Sequence, residues 1–228
     1  IIKVRKTIKT FKNIKGTSPD FYSTLKIACT EILPKKVVLP VATEIAVIYY
    51  GFINWKARPI QENEFTHHKN SGTPTLMIAF ILIIAVEMVS IHFLLAQWSS
   101  IAAWVLTCLS IYSTIQVLGF AKSLGQRPIS INQNSVTLKY GVLNEVDIPF
   151  LDIETIELST KELTKDPLTK TLSPLGELES HNLIIHLKKE NELIGLYGFK
   201  KKFKTLGLHV DEPNSFKEKL EFALQPKL

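Results

Sequence analysis

Two apolar runs placed end to end constrain this chain most. Leu76 to Ala96 is 21 residues long and carries one acid, Glu87, and one histidine, His92. Ile101 to Phe120 is 20 residues long and carries no formal charge. About 20 apolar residues rising 1.5 Å each cross the ~30 Å hydrocarbon core of a bilayer. The link, Gln97-Trp98-Ser99-Ser100, permits only a tight return. The pair predicts a transmembrane hairpin over 76–96 and 101–120, with the lipid bilayer as first partner.

Charge divides the chain into three parts. Residues 1–36 hold nine Lys and Arg against Asp20 and Glu31. Residues 37–127 hold five basic and four acidic groups, and residues 128–228 hold 13 and 15. The net charge of +6 therefore resides in a basic juxtamembrane amphipathic segment, 1–36. Basic groups there are drawn to anionic headgroups and to the cytoplasmic side. A nucleic-acid partner is not expected, because no such motif accompanies the charge. Within 1–36, residues 2–14 and 21–33 suit amphipathic helices, the second ending before Pro34. Cys29 and Cys108 are isolated, so no disulfide framework is expected. A start at Ile1, without a signal-peptide pattern, suits an internal or C-terminal piece of a longer protein.

The membrane region, 37–127, opens with a further apolar run. Val37 to Ile53 is interrupted by Pro40 and Glu44 and ends in Tyr49 and Tyr50, with Trp55 beyond. Such rings favour the headgroup level. The run predicts a short or re-entrant helix. Lys56, Arg58 and Lys69 precede the hairpin and Lys122 and Arg127 follow it, while its turn is uncharged. The positive-inside rule then places both hairpin ends, and everything after them, in the cytoplasm. If 37–53 crossed, the basic residues 1–36 would lie outside. A segment that dips or lies in the interface avoids that conflict; the alternative is that it crosses and the C-terminal domain is not cytoplasmic.

From Pro128 the period becomes two. Strands are predicted at 128–132, 135–140, 145–150, 153–159, 182–188, 192–197 and 205–210, with a hairpin turn at 189–191. Residues 160–180 read as a long polar loop, and 215–224 as a final helix with Phe216 and Leu220 on one face.

That order, with Ile129-Ser-Ile-Asn, Val136-Thr-Leu-Lys-Tyr-Gly141, Asp147-Ile-Pro149 and Ile153-Glu-Thr-Ile156, resembles the bacterial pleckstrin-homology-like domain. The resemblance implies a bent two-sheet barrel over 128–228. The expected fold class is thus an α-helical membrane region, a transmembrane hairpin plus a short apolar helix. An α+β pleckstrin-homology-like barrel of about seven strands with a C-terminal helix follows it. Across the whole chain, Glu44, Tyr49-Tyr50, Phe65-Thr-His67-His-Lys69, Glu87, His92, Ala103-Trp104 and Arg127-Pro128-Ile129 resemble an uncharacterised bacterial multi-spanning family. Its members are often labelled beta-carotene 15,15'-monooxygenase. Carotenoid-cleaving oxygenases hold iron with several histidines, whereas the membrane part here offers His67, His68 and His92.

Glu87 is the sharpest single residue, since a mid-span acid costs a few kcal/mol and normally faces protein or water. Counting back from the turn sets it opposite Ser110, beside Thr107, Ser113 and Thr114, whose hydroxyls can bond it. Glu44, Glu87, His92 and Ser110 form the candidate intramembrane polar site, and His67 and His68 are candidate interfacial groups. Lys200, Lys201, Lys202 and Lys204 are candidate anionic-lipid contacts. No nucleotide loop, CxxC pair, GxSxG elbow or HExxH helix occurs, so no catalytic residue, metal or cofactor is expected. The expectation is a non-enzymatic protein of a bacterial inner membrane, bacterial as both resemblances imply, whose cytoplasmic domain docks a protein partner, or a segment of its own complex, at the membrane surface, with a homo-oligomer also open. The alternative is an intramembrane enzyme or a proton- or ion-coupled transporter using Glu44, Glu87 and His92.

Overall fold

A computed structural model describes residues 20–55 and 58–225. The expected helix over 2–14 lies outside them.

Helix α1 spans Phe21–Thr30, and Asp20 caps it by accepting from the Ser23 backbone N–H at 2.9 Å. A capping carboxylate satisfies a donor that the first helical turn leaves free. Helix α2 spans Lys35–Ile48 and continues as a π-turn over Tyr49–Ile53. The hairpin is α3, Thr73–Ala96, and α4, Ser100–Leu124. Among the described residues, three helices are long and apolar enough to cross a membrane: 35–53, 73–96 and 100–124.

The central stretch of α3 has none of its residues buried within the chain. That suits a helix whose solvent is lipid. Both hairpin ends meet the sheet that follows. Thr73 opens α3 in contact with Tyr140, and the Ser123 hydroxyl near the end of α4 accepts from the Val142 N–H at 3.1 Å. Helix α2 lies along the second half of α4. A side chain on Gly119 would fall 2.6 Å from Val47, so the glycine lets the two backbones meet.

Eight strands form one open, mostly antiparallel sheet: β1 Glu64–Phe65, β2 Ile129–Ile131, β3 Ser135–Tyr140, β4 Asn144–Pro149, β5 Ile153–Leu158, β6 Thr169–Thr171, β7 Leu183–Ile194 and β8 Lys200–Leu208. The order is β1-β2-β3-β4-β7-β8-β6. Strand β5 also pairs with β7, along its first half, while β4 meets its end at Glu145 and Ile194. A 3-10 turn at Phe150–Asp152 makes the corner between β4 and β5. Helix α5, Pro213–Leu224, sends Phe216 and Leu220 into the core that also holds the strand residues Ile148, Leu187 and Phe203.

The sheet corrects several expectations. The ladder stays open among the described residues instead of closing as a barrel. The turn expected at 189–191 does not form; β7 runs straight through it, with a register shift between His186 and Asn191. Turn-forming Lys-Glu-Asn is overridden by ladder pairing on both sides of the shift. Two short strands escape sequence reading, β1 in the polar loop before the hairpin and β6 within 160–180. Each is too short to show a period, and each is recruited by a longer neighbour.

Candidate functional site

The helices and the sheet are joined by buried polar groups. Arg127 follows α4 directly and is wholly buried. Its Nε donates to Asp20 at 3.1 Å, one Nη to Glu145 at 2.7 Å and the other to the Gly141 carbonyl. Its guanidinium lies 4.7 Å from the centre of the Tyr22 ring. Lys139 pairs with Asp20 at 3.1 Å, and Lys26 pairs with Glu145. Gly141 has φ +52 and a Cβ there would meet the Ser123 hydroxyl, so glycine is required at this turn.

Burial disfavours charge on Asp20, but Arg127 and Lys139 outweigh it and hold the carboxyl well below its ordinary range. Glu145 is likewise opposed by burial and held at about 2 by Arg127 and Lys26. A buried arginine needs this many partners, since an uncompensated charge in the interior is strongly destabilising.

A second junction centres on Glu44. Its carboxylate accepts from Gln116 at 2.7 Å and Tyr112 at 3.0 Å on α4, and from Tyr197 at 2.6 Å in the β7–β8 turn. Tyr197 has φ +57, a left-handed conformation that costs a non-glycine residue about 1–2 kcal/mol. Burial and then the Glu44 carboxylate push its phenol upward.

A third junction holds the start of α3. Glu179 is buried and accepts hydroxyls from Thr73, Tyr140 and Ser173, each at 2.5 Å. Beside it a cavity of about 10 Å³ is lined by His67, Tyr140, Glu179, His181 and His209. His67 is buried with both ring nitrogens unpartnered among the described residues. Burial and neighbouring His68 press its pKa down to about 3, so it is neutral.

The four intramembrane candidates are not brought together by any hydrogen bond or ion pair among the described residues. Glu44 belongs to the junction just described. His92 Nδ1 lies 2.7 Å from the Thr107 hydroxyl, with its ring edge-on to Trp104. The Ser110 carbonyl accepts from Thr114. Glu87 is exposed, and no hydrogen bond joins it to the described residues; the hydroxyl level is reached by His92 instead. His67, expected at an interface, is enclosed by the sheet, while His68 is half-buried. Of the lysines, Lys200 pairs with Glu192 at 2.6 Å and Lys202 with Glu190 at 3.2 Å. Lys201 and Lys204 remain exposed.

Away from the junctions, a groove of about 550 Å³ opens between the 160–166 segment, β6 and residues 176–181. Glu162, Asp166, Lys170, Glu177, Glu179 and His181 are among its walls. Among the described residues, no three His, Cys, Asp or Glu side chains gather closely enough to hold a metal ion.

Arg127, Glu145, Glu179 and Tyr197 carry these junctions without a local sequence signal, and Asp20 reads locally only as a helix start. Their partners lie far along the chain, up to 153 residues away for Tyr197 and Glu44. No protein family, curated protein or solved structure matches this chain.

Proposed function

We propose that this chain is a non-enzymatic integral protein of a bacterial inner membrane. Its pleckstrin-homology-like sheet domain, on the cytoplasmic side, docks a protein partner. The groove of about 550 Å³ carries the reading, because it lies on a sheet fixed to the membrane helices at three junctions. Strand β6 ends the sheet order and forms one wall, so its outer edge offers backbone groups to an added strand. Acids outnumber lysines in the lining, with Glu162, Asp166, Glu177 and Glu179 against Lys165 and Lys170. An extended, basic segment of a partner fits that edge and that charge.

In this reading α2 does not cross. Leu39 near its start packs against Gly198, and Asn54 just past its end bonds Gln126 at 3.2 Å. Its start is thus held against the sheet and its end against the end of α4. Its exposed stripe, Val37, Ile45, Ile48 and Phe52, lies in the membrane interface. An enzyme or transporter site would need Glu44, Glu87 and His92 to share partners; Glu44 and His92 have separate ones, and Glu87 bonds none of the described residues.

The test is photo-crosslinking in living cells from a probe at Lys170 or Glu177, with Glu154 as control. The same protein should be recovered from both groove positions and not from the control, and Asp166→Lys should abolish the adduct at Lys170. No groove adduct, or the same adduct from Glu154, overturns the reading.

A further inference from the structure

Helix α3 has one buried or partly buried stripe, Met77, Ile81, Ile84, Met88 and Leu95, and exposes most of the rest of its surface. The exposed side chains include the row that holds the acid, Ile83, Glu87, Ser90 and Leu94. Its spacing of four, three and four residues is that of a helix–helix seam. At 100° per residue it lies beside the buried or partly buried stripe, on a flank of the hairpin. Glu87 stands roughly 14 Å from Ala96 and roughly 21 Å from Thr73, near the middle of the span.

An acid at that depth is costly unless a partner satisfies it. No described residue of its own chain bonds it. We propose that the seam is closed by α3 of a second copy of this chain, Glu87 meeting its counterpart. Copies inserted in one orientation place residue 87 at one depth, so their α3 helices run parallel and the two carboxyls face each other. A carboxylic acid has one donor and acceptor oxygens, and can therefore satisfy an identical group. The Ser90 hydroxyls one turn on add donors of their own. A single polar position in an otherwise apolar seam also fixes register, as a buried polar residue does in a coiled coil.

The proposal is independent of the groove, and its experiment leaves the groove intact. Cys29 and Cys108 are replaced by Ala in the full chain, and Ser90→Cys or Val89→Cys is introduced singly. Val89 is also exposed, about 160° around the helix from Glu87. Oxidation in native membranes should link Ser90→Cys chains into dimers and leave Val89→Cys chains single. In detergent, Glu87→Gln keeps a donor and an acceptor and should dimerise as the parent does. Glu87→Leu should dimerise roughly tenfold more weakly. A monomeric parent overturns the proposal, as does equal linking from both cysteines or full dimerisation of Glu87→Leu. Should Glu87→Leu fail to insert, the two cysteines in the otherwise unchanged chain decide alone.

Discussion

The Tyr197 hydroxyl donates to the Glu44 carboxylate across 2.6 Å and thereby fastens a turn of the sheet to an apolar helix. The backbone at Tyr197 is held left-handed to make this contact. Tyr197→Phe removes one hydrogen bond to a carboxylate, worth about 1.5–3 kcal/mol. It should lower the unfolding midpoint in detergent and speed hydrogen exchange in the 195–199 turn. An unchanged exchange rate there would show that the turn is held by Leu39 packing alone.

Arg127→Ala strands Asp20 and Glu145 without their central cation. About 3–5 kcal/mol of stability should be lost, and α1 should detach first, because Asp20 is both its cap and its link. Arg127→Lys should recover little, since an ammonium cannot reproduce the guanidinium fork. Chemical denaturation of the three proteins in detergent checks the order.

Acid should weaken the fold in two stages. His67 is buried neutral at about 3 against an ordinary 6.5, so only the unfolded chain takes up its proton between those values. Stability should fall as pH drops below 6.5, by up to about 1.4 kcal/mol per unit. His68, His209, Asp211 and Arg127 act on the same ring, and all remain in His67→Phe. That variant should keep only the shallower slope that His68 contributes, since burial holds His68 below its ordinary range too. Glu145 adds a second loss between 4.5 and about 2, as its ion pairs with Arg127 and Lys26 are protonated away. Melting curves across pH that run parallel for parent and variant would refute the His67 assignment.

Gly119→Leu should push α2 off α4, because even a Cβ there falls 2.6 Å from Val47. Overpacking of this kind costs about 1–3 kcal/mol. Cysteines at Asn54 and Gln126, in a chain with Cys29 and Cys108 replaced, should lose their disulfide yield in the Gly119→Leu background.

The hairpin is legible in the sequence because its two runs are long and apolar throughout, and most strands because they alternate. The unbroken apolar run of α3 and the alternation of β3 need no distant partner to be seen. The junctions are not legible. Arg127 reads as a flanking charge until Asp20, Lys139 and Glu145 surround it, and Glu179 reads as loop polarity until Thr73 reaches it. Composition alone singles out Glu87, but depth alone is too little to assign its hydroxyl partners. The helix turns it about 100° away from the α4 side, and Thr107 bonds His92 instead.

The central claim is that the sheet domain and the residues before α2 share one side of the membrane, with only the hairpin crossing. Single cysteines at Glu31, Trp98 and Asp166, in a chain with Cys29 and Cys108 replaced, test it by labelling of intact cells with an impermeant maleimide. Trp98→Cys should react, while Glu31→Cys and Asp166→Cys should react only after the membrane is opened. Opposite behaviour of Glu31→Cys and Asp166→Cys would mean that α2 crosses, and would contradict the account.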